Sequence, residues 1–299
     1  MSQAVLTARG IALGYASGPV LQGFDLQLQP GEVVSILGPS GVGKSSLLRV
    51  LAGLQAPQGG GVQVLGEPLS GPHPRVAVAF QDPSLLPWLS LEKNVAFGLD
   101  FTRQPHLSPE ERRQRVDHAI AAVGLEHARQ QFPAQLSGGM AQRTALARCL
   151  ARQPQVLLLD EPFGALDEVT RADMQHLLLK VNREQGSAAV LITHDIDEAL
   201  LLSDRILLLG NRPARTLGEW RIDLPQPREE QVEAIGALRI EILKTLRQAS
   251  RPQPDPLDLL EPSLCLDDLT HSRRDFLKLS AVLSAAGALP LLSSLQARA

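Results

Sequence analysis

Apolar residues along this chain occur in short runs that alternate with stretches of helical periodicity. The runs have the length and the branched composition of buried strands, and they are Val33–Leu37, Val156–Leu159, Ala188–Ile192 and Arg205–Leu209. Helical stretches separate these strands, an order that is typical of α/β proteins. The pattern therefore predicts a single α/β domain over about residues 1–225, and no internal repeat suggests a second copy of it.

Two segments depart from this alternation. Between about residues 83 and 153 the periodicity is mainly helical, with helices predicted at 109–123 and 142–151, so this segment is interpreted as a helical subdomain inserted into the core. The second segment, 226–250, is predicted to form an amphipathic helix. Its apolar positions recur at helical spacing and are Val232, Ile235, Leu238, Ile242 and Leu246.

Composition narrows the choice of partners. A formal net charge of -3 over 299 residues and a pI near 6.2 show no basic excess, so nucleic acid is not an expected partner. The two cysteines, Cys149 and Cys265, lack metal-ligand spacing and are interpreted as reduced thiols of a cytosolic protein.

No apolar run before residue 276 is long enough to cross a bilayer, and the start of the chain lacks a signal pattern. The domain itself is therefore not expected to form a path through a membrane.

A glycine-rich loop follows the first predicted strand and precedes a helix predicted at 46–54. It satisfies the G-x-x-x-x-G-K-[ST] pattern, in which backbone N–H groups surround phosphate oxygens and the helix N-terminus adds partial positive charge. Lys44 can reach the β- and γ-phosphates of a nucleotide, and the Ser45 hydroxyl can ligate Mg²⁺. The alternative is an ordinary glycine-rich turn. The predicted nucleotide contacts here are Gly38, Pro39, Ser40, Gly41, Val42, Gly43, Lys44, Ser45 and Ser46.

Tyr15, the only tyrosine of the chain, lies upstream of this loop. Its flat ring is predicted to stack on adenine, with a surface tyrosine in a hairpin as the alternative.

The strand that begins at Val156 ends in two carboxylates. Asp160 is predicted to hold Mg²⁺ beside the phosphate loop, and Glu161 to act as the general base that orients or deprotonates the attacking water. Two carboxylates that merely start a turn are the alternative. Gln81 ends a strand predicted at 76–80, where its amide can bind the metal or the water. His194 ends another strand and is predicted to hydrogen-bond the γ-phosphate, although a lone histidine is more often structural.

A second helix N-terminus suited to anion binding is predicted at Leu136–Met140. There, Ser137, Gly138 and Gly139 precede a helix predicted to begin near Met140. One chain needs only one phosphate-binding loop. We therefore expect this second site to face the first site of another copy of the chain, so that two copies enclose the nucleotide.

In order along the chain, these motifs resemble those of ATP-binding cassette (ABC) ATPases. Ala165-Leu166-Asp167 completes the series, and the resemblance covers about residues 1–225. It implies a P-loop NTPase fold with a RecA-like core, an antiparallel β-subdomain and an inserted helical subdomain. It also implies ATP and Mg²⁺ as cofactors, ATP hydrolysis as the activity, and a contact of Asp167 with the nucleotide loop of the partner copy.

Three further segments are similar to the nitrate, sulfonate and taurine importer subfamily, namely Phe80–Trp88, Leu91–Val95 and Thr193–Ala199. This resemblance implies a homodimer at the cytoplasmic face of the bacterial inner membrane, with separate permease chains and a periplasmic solute-binding protein. The sequence departs from the family pattern at Met140, where Gln is commoner, and at Ala141, where a basic residue is often found. Neither residue is a predicted phosphate contact.

The residues leave other functions open. A soluble ABC protein of DNA repair or translation is one alternative, although the short distance between Gln81 and the Leu136–Met140 segment argues against it. A subunit of an exporter or of a lipid-transport system is another. The solute cannot be identified, because such an ATPase does not touch it.

The C-terminal region has an unexpected pattern. After a Pro- and Asp-rich linker at 251–271, the tail 272–299 opens with Arg273-Arg274, continues with the uncharged stretch 279–297 and closes on an A-x-A-like ending. It resembles a twin-arginine export signal. We expect it to be the signal of an exported binding protein joined to the ATPase by gene fusion or overlap, with a tail anchor or an incidental arginine pair as alternatives.

Overall fold

The structure, a computed structural model, describes residues 3–249. The predicted linker 251–271 and the twin-arginine-like tail 272–299 lie outside the described residues.

A six-stranded sheet forms the centre of the fold, with the strand order β10-β9-β3-β8-β7-β6. Its strands are β3 (Val33–Leu37), β6 (Val76–Ala79), β7 (Val156–Asp160), β8 (Ala188–Ile192), β9 (Arg205–Gly210) and β10 (Arg215–Arg221). All neighbours pair in parallel except β9 and β10, which are antiparallel. Every residue of β3, β7 and β8 is buried, because both faces of this sheet are covered. The strands predicted from the apolar runs are confirmed.

A second sheet is antiparallel and has the strand order β2-β1-β4-β5. Its strands are β1 (Leu6–Tyr15), β2 (Gly18–Leu28), β4 (Gly59–Val64) and β5 (Glu67–Pro68). The hairpin between β1 and β2 closes with Tyr15 opposite Gly18, which leaves Tyr15 at the tip of the sheet.

The helices are α1 (Lys44–Leu51), α2 (Leu91–Ala96), α3 (Pro109–Ala122), α4 (Gly138–Ala151), α5 (Glu168–Gln185), α6 (Ile196–Leu202) and α7 (Val232–Ala249). Short 3-10 turns lie at Glu126–Ala128 and Pro133–Gln135. α1 begins at Lys44, earlier than predicted, and it also ends earlier, because Gly53 adopts a left-handed φ of 71° after its last turn. α4 begins at Gly138 rather than near Met140, because the Ser137 side chain caps it.

Alternate residues of the parallel strands enter separate apolar clusters. Val156 and Leu158 of β7 lie in the cluster shared with α1 and the antiparallel sheet. Leu157 and Leu159 lie in the cluster formed with the helices of the segment 83–153 and with α5. The period-2 alternation of a strand therefore joins the helical segment to one face of the sheet and the antiparallel sheet to the other.

The C-terminal helix α7 joins a third cluster with α6, β9 and β10. Ile242 is fully buried there, and Ile235, Leu238 and Leu246 pack against it. Val232 shares the helical spacing of these residues but is not buried with them. Its side chain is 72% exposed, because it is the first residue of the helix and extends beyond the apolar cluster. Within residues 3–249, no helix combines the length and the apolarity needed to cross a bilayer.

Candidate functional site

The phosphate-binding loop joins the end of β3 to the start of α1. Gly41 and Gly43 adopt left-handed φ angles of 76° and 104°, which favour glycine because it has no Cβ. Gly38 requires glycine for a different reason, since a Cβ there would lie 2.7 Å from the carbonyl oxygen of Leu209. The glycine pattern of the sequence therefore has a direct steric cause in the loop.

Charged groups of opposite sign meet at the base of this loop. The buried Lys44 ammonium donates hydrogen bonds to the carbonyl oxygens of Gly38 (2.7 Å) and Pro39 (3.1 Å). Burial lowers the pKa of Lys44, and the neighbouring carboxylates of Glu161 and Asp160 counteract this effect. The arrangement holds a cation where the phosphates of a nucleotide would add negative charge.

Asp160 ends β7 and is almost fully buried. Burial raises the pKa of its carboxyl group, whereas a hydrogen bond with the Ser45 side chain lowers it. Two of the three side chains predicted to ligate Mg²⁺, Ser45 and Asp160, are thus in contact. Among residues 3–249 there is no group of three or more His, Cys, Asp or Glu that could hold a metal ion by itself.

Glu161 follows Asp160 in a strained backbone conformation. Its φ of 46° lies in the left-handed region, which costs a non-glycine residue about 1–3 kcal/mol and is frequent at functional sites. Its N–H donates to the carbonyl oxygen of Ile192 in the next strand (2.8 Å), which fixes this turn. The strain directs the carboxylate toward the other predicted catalytic residues.

Gln81 and His194 lie on the two sides of that carboxylate. Gln81 Nε2 donates to Glu161 Oε2 (3.3 Å), and His194 Nδ1 lies 3.2 Å from Glu161 Oε1. These residues come from three separate strand ends, so only the parallel order of β6, β7 and β8 brings them together. A carboxylate held in this way is positioned to accept a proton from a water molecule.

The loop, the strand ends and the β-hairpin enclose a cleft of about 600 Å³. Its lining residues are Tyr15, Val20, Ser40, Gly41, Gly43, Lys44, Ser45, Ser46, Gln81, Glu161 and His194. Most of the residues predicted to contact nucleotide or to act in catalysis therefore share one cleft. Val20 was missed by the sequence reasoning, and its place in β2, just after the hairpin that carries Tyr15, is the signal that could have identified it.

Tyr15 lies at the rim of this cleft with about half of its side chain exposed. Its hydroxyl is 2.9 Å from the Ser46 Oγ, and this hydrogen bond lowers the pKa of Tyr15. The bond ties the hairpin to the first turn of α1. The ring thus keeps an exposed apolar surface beside the phosphate loop, and its stacking on adenine stays a prediction.

The predicted nucleotide contacts outside the phosphate loop and the hairpin, namely Ser137, Gly138, Gly139 and Asp167, do not line this cleft. Ser137 caps α4 by accepting from the N–H of Met140 (3.2 Å), and Asp167 caps α5 by accepting from the N–H of Thr170 (3.0 Å). Gly139 is close to the second of these segments, since a Cβ there would lie 3.3 Å from Leu166. The structure thus groups Ser137, Gly138 and Gly139 with Asp167 outside the cleft, and their contact with a partner's nucleotide stays a prediction.

The turn that carries His194 is supported by a carboxyl group that sequence reasoning missed. Glu198 is buried, and its Oε2 accepts a 2.6 Å hydrogen bond from the Thr193 hydroxyl. Thr193 Oγ1 in turn accepts from the N–H of Asp195 (3.0 Å). Burial raises the pKa of Glu198 to about 7. The spacing Asp195-x-x-Glu198 is that of a capping box, which could have drawn attention to this glutamate.

Comparisons with known proteins agree with this site. Residues 21–164 match the family model described as ABC transporter, and residues 270–290 match the model for the TAT (twin-arginine translocation) pathway signal sequence. Among the relatives, the aliphatic sulfonates import ATP-binding protein SsuB 1 of Xanthomonas axonopodis pv. citri is 47% identical over 236 residues, which cover 78% of this chain and 92% of that protein.

Two further relatives come from Synechococcus elongatus. The nitrate import ATP-binding protein NrtD is 46% identical over 215 residues, which cover 72% of this chain and 78% of that protein. The bicarbonate transport ATP-binding protein CmpC is 45% identical over 236 residues, which cover 77% of this chain but only 35% of CmpC. The chain therefore spans about a third of the length of CmpC and most of the length of the other two.

A solved structure shares the fold. The dimeric ATP-binding cassette MJ0796, in a post-hydrolysis state bound to ADP and Pi, superposes with a TM-score of 0.67 at 32% identity, covering 74% of this chain and all of that one. This likeness confirms the predicted P-loop NTPase fold. The phosphate loop, Gln81 and Glu161 lie within residues 21–164, which the family model matches, whereas His194 lies beyond them. This chain therefore belongs to the ABC transporter family.

Proposed function

We propose that this ATPase is the ATP-hydrolysing subunit of a bacterial importer for a small solute such as nitrate, a sulfonate or taurine. The observation that carries the catalytic part is the Glu161 carboxylate, held between Gln81 and His194 in the cleft of the phosphate loop. The choice of solute class is supported by relatives named for the import of aliphatic sulfonates and nitrate.

Each side chain of the cleft has a role in this proposal. Backbone N–H groups of the phosphate loop and the Lys44 ammonium bind the β- and γ-phosphates. Tyr15 offers its ring to adenine, while Glu161 accepts the proton of the attacking water. His194 and Gln81 hold the carboxylate and the water in place. The site works by positioning and by charge, which supply most of the rate enhancement in phosphoryl transfer.

Magnesium fits the donor set beside Lys44. A hydroxyl (Ser45), an amide (Gln81) and a carboxylate (Asp160) supply the oxygen ligands that this cation prefers, and it keeps its remaining sites for water and phosphate. Burial raises the pKa of the Asp160 carboxyl group, and a cation bound beside it would favour its charged form. When bound with ATP, the ion neutralises charge on the phosphates.

A second copy of the chain completes the site in this proposal. Ser137, Gly138, Gly139 and Asp167 lie together outside the cleft of their own chain, and the related MJ0796 cassette is dimeric. A cysteine introduced at Ser40 should crosslink to one introduced at Ser137 of the partner when ATP is trapped. Failure of that crosslink under trapping conditions would contradict a closed homodimer.

The base is tested by Glu161→Gln, which preserves the shape of the side chain and removes its basicity. ATP binding should persist, hydrolysis should fall by about 10²–10⁴-fold, and the closed dimer should accumulate. Glu126→Gln is the matched control, because Glu126 is an exposed glutamate outside the cleft. Native turnover in the Glu161 variant would refute the assignment of the base.

The segment 82–99 is proposed to contact the permease chains. It follows Gln81 and exposes the Trp88 side chain. Arg148, on the helix that begins beside Ser137, donates to the carbonyl oxygens of Pro83 (2.8 Å) and Ser84 (3.0 Å). The helix capped by Ser137 therefore holds the segment directly, so that closure over ATP can move it. Trp88→Ala should reduce the ratio of permease-stimulated to basal hydrolysis.

Measuring ATP hydrolysis with reconstituted permease chains also separates this proposal from a role in DNA repair or translation. Stimulation by permease chains and by a periplasmic solute-binding protein, at the cytoplasmic face of the membrane, is the expected result. Stimulation by DNA or ribosomes, without an effect of permeases, would favour the soluble alternative.

The match of residues 270–290 to the twin-arginine signal model supports the proposal that the tail is an export signal. Cells that make the full chain are fractionated with and without Arg273→Lys and Arg274→Lys. The substitutions should change the membrane association or the length of the chain. Identical fractions and identical lengths would contradict both an export and an anchoring role.

A further inference from the structure

The C-terminal helix α7 lies against residues that flank both halves of the catalytic cleft. Ile242 is buried in one cluster with Leu37, the residue directly before the phosphate loop. Leu246 and Ile242 also line a second cavity, of about 240 Å³, which has Pro39 and His194 on its wall. One apolar stripe of α7 thus faces both the phosphate loop and the turn of the catalytic histidine.

An ion pair attaches the same helix to that turn. Arg239 Nη2 of α7 pairs with Asp197 Oδ2 in the first turn of α6, and both side chains are about half exposed. The N–H of Asp197 donates to Asp195 Oδ1 (2.9 Å), and Asp195 directly follows His194. Arg239 is therefore linked to the histidine turn through two polar contacts.

A third contact holds the helix against the sheet. Trp220 Nε1 of β10 donates to Glu241 Oε1 of α7 (2.8 Å). Glu241 lies between Arg239 and Ile242 in sequence, so α7 is held at β10 while its neighbouring residues reach α6 and the phosphate loop. This hydrogen bond attaches α7 to the sheet, which holds the helix in place against the histidine turn.

Catalytic groups must be held to within about 0.5 Å, and those on loops depend on the elements packed behind them. We propose that α7 is a positioning element for ATP hydrolysis, and that Arg239 is a positioning residue that acts through Asp197 on His194. The inference rests on the proposed role of His194 at the γ-phosphate. It assigns to a helix outside the nucleotide cleft an indirect influence on the chemical step.

The effect should appear in kcat and not in KM, because no residue of α7 itself lines the nucleotide cleft. Exposed ion pairs contribute at most about 1 kcal/mol, so Arg239→Gln should lower kcat about two- to fivefold, equivalent to about 0.4–1 kcal/mol. Asp197→Asn should have the same effect. The double variant should be no worse than either single one, since each substitution breaks the same pair.

Two controls separate positioning from a general loss of structure. Arg239→Lys keeps the charge and should restore most of kcat. Arg112→Gln breaks a comparably exposed ion pair, with Asp100, in the helical segment and should leave kcat unchanged. All variants are made in the full chain, and their thermal unfolding is measured beside ATP hydrolysis.

The outcomes distinguish this inference from the proposed function. The role of α7 would be overturned by any of three results: a native kcat in Arg239→Gln, additive losses in the double variant, or an equal loss in Arg112→Gln. If Glu161→Gln is inactive in the same experiments, the assignment of Glu161 as the base stands even though the role of α7 does not. If Glu161→Gln is itself fully active, the proposed function fails, whatever α7 does.

Discussion

The buried carboxyl group of Glu198 makes the stability of this protein depend on pH. Burial is the largest cause of its raised pKa, and the nearby Asp195 adds to it, whereas the hydrogen bond from Thr193 and the charge of Arg171 oppose it. The pKa rises from an ordinary 4.5 to about 7. Folding therefore takes up a proton in the window between these two values.

The sign follows from the proton balance. Below pH 4.5 both the folded and the unfolded chain are protonated at Glu198, and the stabilising contribution is complete. As pH rises through 7 the folded chain must ionise a buried group, and the contribution is lost. A shift of this size corresponds to about 3 kcal/mol in total, most of which disappears between pH 5 and pH 8.

Glu198→Gln removes this titration and keeps an oxygen that can accept from Thr193. The free energy of unfolding is measured by urea denaturation at pH 5, 6, 7 and 8, for the native protein and for the variant. The native protein should lose about 2–3 kcal/mol relative to the variant across this range. Glu126→Gln is the control, because it makes the same chemical change at an exposed position.

A constant difference between the native protein and Glu198→Gln across pH would refute the reasoning, because it would mean that the carboxyl group is ionised in the fold at every pH tested. The same variant also tests whether the hydrogen bond to Thr193 matters for ATP hydrolysis. Since Thr193 adjoins His194, a variant that keeps the hydrogen bond should retain ATP hydrolysis at pH 7.

Three structural predictions follow from local geometry. Ser108→Ala removes the cap of α3 and should lower the free energy of unfolding by about 1 kcal/mol in urea denaturation; no change would show that the cap is redundant. Leu158→Ala opens a cavity at a fully buried position of β7 and should cost about 2–5 kcal/mol, whereas a loss below 1 kcal/mol would indicate that the core collapses around it. Gly60→Ala would place a Cβ 2.2 Å from the carbonyl oxygen of Arg9, at a residue whose φ is 76°. Its thermal unfolding should therefore occur at a lower temperature than that of Gly61→Ala, where the added Cβ meets nothing within 4 Å. Equal melting temperatures in the two variants would contradict the strain.

Sequence reasoning was accurate where the signal is local. The apolar runs that became β3, β7, β8 and β9 were recognisable because a buried parallel strand must be apolar on both faces. The phosphate loop was recognisable because its backbone requires glycine at fixed positions.

Element boundaries were less accurate, since they depend on caps and neighbours. α1 stops before Gly53, and α4 starts at the Ser137 cap, each two or three residues from the predicted end. Val232 continues the helical period of α7, yet no neighbouring element covers it. Periodicity states which residues share a face, but packing decides how far along the helix that face is buried.

The sequence by itself determined the fold class, the family and the glycine pattern of the phosphate loop, because these depend on short patterns with a local steric or chemical cause. Only the tertiary structure decided that Gln81 and His194 hold Glu161 from both sides and that Arg239 reaches Asp197. These contacts join residues from separate elements. Their distances follow from how strands align and helices pack, which no local stretch of the chain encodes alone.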